Sequence, residues 1–366
     1  MRVGLDATPL LGQVTGVGTY TRNLMDALRV RYPGDELVAT AFTMRGSGEL
    51  SAVVPGGVTV RTRPLPARAL RALWARDVPL PVEVLCGRVD VFHATNFVLP
   101  PARRARGVLT IHDLAYLRLP DTVSDATLAY RELVPRGVSR AAMVCTPSRA
   151  VAEQVQDAYA VPADRISVTP LGVDPVWFDA TPLSSVERAE QGLPPEYLLA
   201  VGTLEPRKNL AALLAAYRLL LTDLPEAPPL VLAGGAGWGA ALDLSEFPSG
   251  AVVLTGHLPY ADLRRLVAGA TLLAFPSLDE GFGLPPLEAL ACGVPVLAND
   301  LPVTREVLGG AASYCDATDV DGLAEAVRVA LTAPVGTSAQ RREQAGGFTW
   351  QRCAEATHAA YERALA

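Results

Sequence analysis

The sequence predicts an α/β protein with two domains, each a doubly wound parallel sheet covered by helices on both faces. The chain has 366 residues, which is too long for one ordinary domain and suits two of about 150–200 residues each. Short apolar runs rich in β-branched residues alternate with helical patterns along the chain, as parallel sheets require. A proline-rich stretch at residues 174–195 interrupts this alternation once.

The strands and helices follow from these patterns in order. In the first half we predict strands at 3–7, 37–42, 58–61, 89–93, 108–112, 142–146 and 166–169, with helices at 17–29, 125–140 and 149–159. In the second half we predict strands at 197–201, 230–233, 252–254, 272–275, 294–297 and 312–314, with helices at 209–222, 260–268, 286–291, 320–331 and 349–365.

The domain limits follow from the interruption. We place the first domain at residues 1–178, the second at 179–347, and a final helical segment at 348–366, with 174–195 as linker and hinge. Two doubly wound domains joined by a hinge are expected to bind ligand between them, at the carboxyl ends of their strands.

Composition excludes several classes of protein. The net charge of −6 argues against a nucleic-acid partner. No apolar run reaches the length of about 18–20 residues that crosses a bilayer, and Asp6 interrupts any signal-peptide pattern. The five cysteines and four histidines are scattered, which favours reduced thiols in a cytoplasmic protein and predicts no metal site.

Positive charge is concentrated in the first half of the chain. Residues 1–183 carry 20 arginines and 17 acids, whereas the remainder carries 12 basic residues and 21 acids. This indicates either a solvated arginine-rich surface or a face for an anionic acceptor or the inner side of a membrane. The local concentrations are Arg61, Arg63, Arg68, Arg71, Arg76, Arg103, Arg104 and Arg106.

Lys208 is the only lysine among the 32 basic residues. It follows Arg207 in a loop between a predicted strand and a helix, where Asn209 is expected to cap the helix. The helix dipole favours an anion there, and the two adjacent cations would repel one another without one. A diphosphate suits an arginine fork beside a lysine point charge. The alternative is a surface salt-bridge cluster with Glu205.

Two glutamates bracket a glycine-rich turn at residues 280–288. Gly281 and Gly283 allow close approach of the backbone to a ligand, and Pro286 suits the first turn of a helix that carries Glu288. Carboxylates accept hydrogen bonds from sugar hydroxyls. We therefore expect Glu280 to address a transferred sugar and Glu288 a ribose diol. The alternative is a pair of unrelated surface acids.

Candidate residues in the first half lie at strand ends. Gly16 and Gly18 open a helix, and fit the dinucleotide-binding pattern poorly. They form either a phosphate-binding turn or a simple helix entry. His112, followed by Asp113, ends one predicted strand and His93 ends another. Each histidine is either functional or structural, with His93 on the acceptor side if functional.

Together these motifs resemble glycosyltransferase family 4, a large family of retaining GT-B enzymes, over nearly the whole chain. The E-x7-E signature at 280–288 and the Arg-Lys pair are highly specific. The resemblance also rests on the segments Gly16-Val17-Gly18-Thr19-Tyr20, His93-Ala94-Thr95-Asn96, His112-Asp113, Pro170-Leu171-Gly172-Val173-Asp174 and Glu205-Pro206-Arg207-Lys208-Asn209.

The resemblance implies roles for these residues. Arg207 and Lys208 would bind the donor pyrophosphate, Glu280 the donor sugar, and Glu288 the ribose. It also implies a catalytic role for His112 and an acceptor-side position for Asn96 and Asp113, and that the last helix packs back onto the first domain. The remaining donor-binding positions would be Gly16, Gly18, His257, Leu258, Gly281, Phe282, Gly283 and Leu284, with His257 and Leu258 holding the base through their backbone.

The expected activity is retaining transfer of a hexose from a nucleotide sugar to a hydroxyl acceptor, with GDP-mannose the favoured donor. The nucleotide sugar is a co-substrate, and no cofactor or metal is expected. Alternatives are an epimerase or phosphorylase on the same scaffold, or a two-domain binding protein without chemistry. A glycan, a lipid-linked sugar and a small molecule all remain open as acceptors.

Overall fold

The computed structural model describes residues 1–12, 15–44, 47–63, 65–75, 78, 80–239 and 241–366, so Arg76 of the predicted basic surface lies outside it. The chain forms two compact units. The first comprises Met1–Leu117, Asp125–Gly172 and Thr349–Ala366, and the second Arg118–Ser124 and Val173–Phe348. The units therefore divide after Gly172 and after Phe348, where we had placed the limits after residues 178 and 347.

The first unit contains a parallel sheet in the order β3-β2-β1-β4-β5-β6-β7. The order reverses direction between β1 and β4, which in doubly wound sheets opens a crevice at the carboxyl ends of the strands. Its strands are β1 Arg2–Asp6, β2 Glu36–Thr40, β3 Thr59–Val60, β4 Val91–Ala94, β5 Arg106–Thr110, β6 Ala141–Thr146 and β7 Ile166–Val168.

Helices of the first unit cover this sheet. They are α1 Gly16–Arg31, α2 Leu50–Val53, α3 Ala67–Ala75, α4 Glu83–Cys86, α5 Ala115–Arg118, α6 Asp125–Leu128, α7 Tyr130–Arg140, α8 Arg149–Tyr159 and, from the end of the chain, α16 Trp350–Leu365. Arg118, the last residue of α5, belongs to the second unit. The helix α16 packs against α1, β5 and β6, with Cys353 and Tyr361 fully buried.

The second unit repeats the plan with a parallel sheet in the order β10-β9-β8-β11-β12-β13. Its strands are β8 Leu198–Val201, β9 Leu230–Ala233, β10 Val252–Gly256, β11 Leu272–Phe275, β12 Val296–Asn299 and β13 Ser313–Cys315. Its helices are α9 Ser185–Glu190, α10 Leu210–Asp223, α11 Tyr260–Ala268, α12 Leu284–Cys292, α13 Pro302–Leu308, α14 Val320–Thr332 and α15 Ser338–Gly346.

The hydrophobic pattern explains these elements. Every residue of β11 is buried, as expected for a central parallel strand with helices on both faces. In α10, Leu213, Tyr217 and Leu220 recur at helical spacing and are buried. They join Leu323 and Val327 of α14 in one apolar cluster. The prediction of two doubly wound domains is confirmed.

The prediction that residues 174–195 form a linker without regular structure is wrong. Residues 174–195 include the helix α9 and a 3₁₀ turn at Pro175–Trp177, whose Trp177 is fully buried. Ser184 and Glu187 form a capping box that starts α9, a pattern readable in the sequence. Because these residues pack within the second unit, they do not form a free hinge.

Smaller differences concern helices. The predicted helix 125–140 is broken into α6 and α7 at Ala129. Within the part of the chain that the structure describes, seven helices have no counterpart in the predictions: α2, α3, α4, α5, α9, α13 and α15. No helix in the described ranges combines the length and apolarity that crossing a membrane requires.

Candidate active site

A short basic turn follows β8 in the second unit. Pro206–Lys208 forms one turn of 3₁₀ helix, and α10 begins at Leu210. The expected cap is wrong: Asn209 adopts a left-handed conformation with φ of 55° and makes no side-chain capping bond. In that conformation its amide donates instead to the Ala317 carbonyl oxygen at 2.8 Å. The asparagine therefore ties the turn to the loop after β13.

The two cations of this turn meet two carboxylates. Arg207 Nη2 lies 3.0 Å from Glu205 Oε1, and Arg207 Nη1 lies 3.5 Å from Glu280 Oε2. Lys208 Nζ donates to Glu280 Oε1 at 2.6 Å. These four side chains are at most 17% exposed. The cluster is therefore largely buried, unlike the surface salt bridge considered as an alternative.

This arrangement corrects the argument from repulsion. Arg207 and Lys208 do not need a ligand to coexist, because Glu205 and Glu280 compensate their charges. Burial by itself would raise the pKa of Glu280, but the charges of Lys208 and Arg207 hold that pKa below its ordinary value. Glu280 is therefore ionised at neutral pH and keeps both cations in place.

The turn at 281–283 leads into α12 beside this cluster. Gly283 has φ of 91°, a left-handed conformation that favours glycine, and a Cβ there would lie 3.3 Å from Pro286 Cγ. Pro285 and Pro286 follow Leu284 at the start of the helix and carry no N–H. The N–H groups available at this positive helix end are therefore restricted to the glycine-rich turn and Leu284.

Glu288 lies in the middle of α12 and is 9% exposed. Burial, with the nearby charge of Asp174, raises the pKa of Glu288 to about 8. Burial, with the charge of Glu288, also raises the pKa of Tyr260. The Tyr260 hydroxyl accepts a hydrogen bond from Trp177 Nε1 at 2.6 Å. Glu288 is therefore neutral at pH 7, so its carboxyl can both donate and accept hydrogen bonds.

Two residues of this site were missed by the sequence reasoning. Asp279 is nearly buried and accepts a hydrogen bond from Arg118 Nη1 at 2.7 Å, and its backbone oxygen accepts one from Arg207 Nη1 at 3.0 Å. Asp279 precedes the E-x7-E segment directly, which was an available signal. Arg118 comes from a segment far away in the chain, and no local pattern marks it.

His257 and Leu258 lie in the loop between β10 and α11. Gly256, the last residue of β10, has φ of 68°, which turns the chain at the carboxyl end of the sheet. His257 is exposed and Leu258 is half-buried. Their role with a nucleotide base stays a prediction.

The prediction that His93 lies on the acceptor side is wrong, because its side chain is fully buried and cannot line an acceptor surface. Its Nδ1 lies 2.7 Å from the Tyr361 hydroxyl and its Nε2 lies 2.7 Å from Thr110 Oγ1. Burial lowers the pKa of His93 to about 3, so the ring is neutral. It links β4 to β5 and to α16 within the first unit.

The other first-unit candidates lie at the expected strand ends. His112 follows β5, and its Nε2 lies 2.8 Å from the Thr95 carbonyl oxygen. Burial lowers its pKa below the ordinary value. Asp113 Oδ1 accepts from the Ala115 N–H at 3.1 Å. Asn96 follows β4 and lines a cavity. Their catalytic and acceptor roles stay predictions.

Gly16 and Gly18 belong to the first turn of α1. Gly16 is the exposed first residue of the helix, and Gly18 is buried. Thr15, which precedes the helix, makes no side-chain capping bond. Both the phosphate-binding turn and the simple helix entry remain compatible with this position. Among the residues that the structure describes, no group of three or more His, Cys, Asp or Glu side chains is placed to hold a metal ion.

Comparison with known proteins identifies the family of the chain. The family model Glycosyl transferases group 1 matches residues 185–346, and the model Glycosyltransferase Family 4 matches residues 14–177. O-antigen chain mannosyltransferase B of Escherichia coli is 29% identical over 99% of this chain and 100% of its own length. O-antigen chain mannosyltransferase RfbU of Salmonella typhimurium is 26% identical over 86% of each chain.

Solved structures agree at the level of the fold. Sucrose-phosphate synthase from Thermosynechococcus elongatus superposes with a TM-score of 0.72 at 18% identity, covering 99% of this chain and 98% of that one. This likeness shows the GT-B fold of two doubly wound domains. Because the two family models together cover most of both units, this protein belongs to glycosyltransferase family 4.

Proposed function

We propose that this glycosyltransferase moves a mannosyl residue from GDP-mannose to a hydroxyl acceptor with retention of anomeric configuration and without a metal ion. The observation that carries the proposal is the buried cluster in which Lys208 and Arg207 contact Glu280 beside the glycine-rich start of α12. The two mannosyltransferase relatives favour mannose as the sugar.

The donor diphosphate would bind at Arg207 and Lys208. Carboxylates hold both cations in place, so the cations need not reorganise when a phosphate binds. Such preorganised charges stabilise a leaving group strongly. The ring of Phe275 lies 5.5 Å below Lys208 Nζ and adds a favourable contact with the ammonium. Protein cations at this turn would take the role that a metal has elsewhere.

Glu280 would orient the transferred sugar through its hydroxyl groups, without acting as a nucleophile. In the proposed step the bond from sugar C1 to the diphosphate oxygen breaks, and the acceptor oxygen forms a bond to C1 on the same face. The acceptor proton passes to a phosphate oxygen of the departing nucleotide. Glu288, neutral at pH 7, would bind the ribose diol as both donor and acceptor of hydrogen bonds.

The central test is Lys208→Ala. Loss of one such preorganised charge should lower kcat by about 10²–10³, on the order of 2.7–4 kcal/mol of barrier, by analogy with the loss of an oxyanion donor. The matched control is Arg218→Ala, which removes a cation from the exposed ion pair with Glu246 in the same unit and should leave kcat unchanged. Turnover of Lys208→Ala within tenfold of wild type would refute the assignment.

Three further measurements separate the alternatives. Thermal-shift assays with GDP, UDP and dTDP identify the base, and GDP should stabilise the protein most. NMR of the product should show the anomeric configuration of the donor, and EDTA should leave the rate unchanged. An inverted product excludes retention. Conversion of the donor sugar without any acceptor would favour an epimerase, and phosphate-dependent cleavage a phosphorylase.

A further inference from the structure

A cavity of about 450 Å³ lies in the first unit, at the carboxyl ends of β1, β2 and β4. Its size falls within the range of about 300–1,000 Å³ that small-molecule sites occupy. In doubly wound sheets ligands bind where the strand order changes direction, and here that point is between β1 and β4. We refer to it as the β1-end cavity.

One wall of the β1-end cavity is polar and fixed in position. Asp6, the last residue of β1, is 3% exposed, and its Oδ1 accepts from the Thr8 N–H at 2.9 Å and from Thr8 Oγ1 at 2.5 Å. Thr8 Oγ1 in turn accepts from the Phe42 N–H at 2.8 Å. Asn96 and the exposed Glu49 add an amide and a second carboxylate to the lining.

Another part of the cavity lining is aromatic. Trp74 of α3 and Phe42, which follows β2, meet edge to face with ring centroids 5.0 Å apart. Both are largely buried, and the indole N–H of Trp74 donates to the Leu80 carbonyl oxygen at 3.3 Å. Aromatic rings held in this way offer an apolar surface to a ligand without further ordering.

This combination selects a class of ligand. Carboxylates and an amide bind hydroxyl groups, and the aromatic wall suits the C–H face of a ring. Asp6 and Glu49 repel a phosphate or carboxylate, and no lysine, arginine or histidine occurs among the described residues that line the cavity. We propose that the β1-end cavity binds the acceptor as an uncharged saccharide ring and discriminates against phosphorylated acceptors. This inference rests on the proposed function.

The experiment compares two acceptors with one donor. GDP-mannose is supplied with methyl α-mannoside or with methyl α-mannoside 6-phosphate, and wild type should show at least about a tenfold higher kcat/KM for the neutral acceptor. Asp6→Asn and Glu49→Gln should each raise KM for the neutral acceptor severalfold and should reduce the discrimination against the phosphate. The control, Glu153→Gln, lies on α8, which packs against β6 and β7 at the sheet edge opposite to β2 and β3, and should change neither.

Two outcomes overturn the inference: a preference of wild type for the phosphorylated acceptor, or KM changes in both variants no larger than in the control. Glu49 is exposed, so Glu49→Gln decides the matter if Asp6→Asn does not fold. If no acceptor is used at all, the proposed function fails separately. Saturation-transfer NMR with methyl α-mannoside then tests binding at the cavity alone. A signal equal in wild type and Glu49→Gln overturns the inference that the cavity binds the saccharide.

Discussion

At the scale of single residues, charge compensation defines the candidate active site. Lys208 and Arg207 are cations that the sequence marks as unusual, yet their surroundings matter as much as their identity. Glu280 lies between them with a lowered pKa, because two positive charges outweigh the effect of burial. Glu288, eight residues further on, has a raised pKa, because burial and the negative charge of Asp174 both disfavour its ionised form. Two acids of one motif thus differ in ionisation through their neighbours.

The pKa of Glu288 predicts a dependence of stability on pH. Because the folded pKa of about 8 exceeds the ordinary value of 4.5, the native state binds more protons than the unfolded state between these values. The free energy of unfolding should therefore fall as pH rises through that window. Glu288→Gln removes this contribution, so its Tm relative to wild type should increase steadily from about pH 5 to pH 8.

The matched control for this measurement is Glu246→Gln, which changes an exposed glutamate of the same unit. Its Tm difference from wild type should be flat over the same range of pH. A flat difference for Glu288→Gln as well would show that Glu288 is ionised throughout the range.

At the scale of elements, three helices of the second unit begin in different ways. The start of α12 relies on Gly283 in a left-handed conformation and on two prolines, whereas α10 starts without a side-chain cap. The helix α9 starts with a complete capping box. There Glu187 also pairs with Arg265 of α11 through two bonds of 2.7 Å. The stretch that composition marks as a linker is therefore attached to α11.

Ser184→Ala tests the capping box that starts α9. It removes the bond from the Glu187 N–H to Ser184 Oγ and should lower the free energy of unfolding by about 1 kcal/mol, as other lost N-caps do. Ser184→Asp retains a capping oxygen and should lose no more than about half of that. Urea unfolding measures both. Equal stability of Ser184→Ala and wild type would mean that this capping bond does not stabilise the second unit.

At the scale of the whole molecule, the chain passes between the two units near Gly172 and near Phe348. Within the second unit the Val173 N–H donates to the Phe348 carbonyl oxygen at 3.0 Å. Within the first unit a Cβ on Gly172 would lie only 2.1 Å from the backbone nitrogen of Trp350. The start of α16 is therefore packed directly against the backbone of Gly172, in addition to the packing of α16 on α1, β5 and β6.

Gly172→Ala should consequently displace the start of α16. Because the clash is with backbone atoms that cannot rotate away, we expect a loss of about 1–3 kcal/mol or more in the stability of the first unit. The control is Gly310→Ala, where the added Cβ meets nothing within 4 Å and stability should be unchanged. Calorimetry compares the two variants. A Gly172→Ala protein as stable as the control would show that the contact is loose.

The sequence by itself determined the fold class, the order of most strands and helices and the motif of the candidate site, because these depend on local patterns of burial and on residues adjacent in the chain. It marked 280–288 and Arg207-Lys208 without knowledge of any contact. Only the tertiary structure decided that Glu280 compensates both cations, that Arg118 joins Asp279 and that Asn209 bonds to Ala317 and caps nothing. It also decided that His93 is a buried link to Tyr361, 268 positions away. Such contacts depend on segments distant in sequence, whose approach no local pattern records.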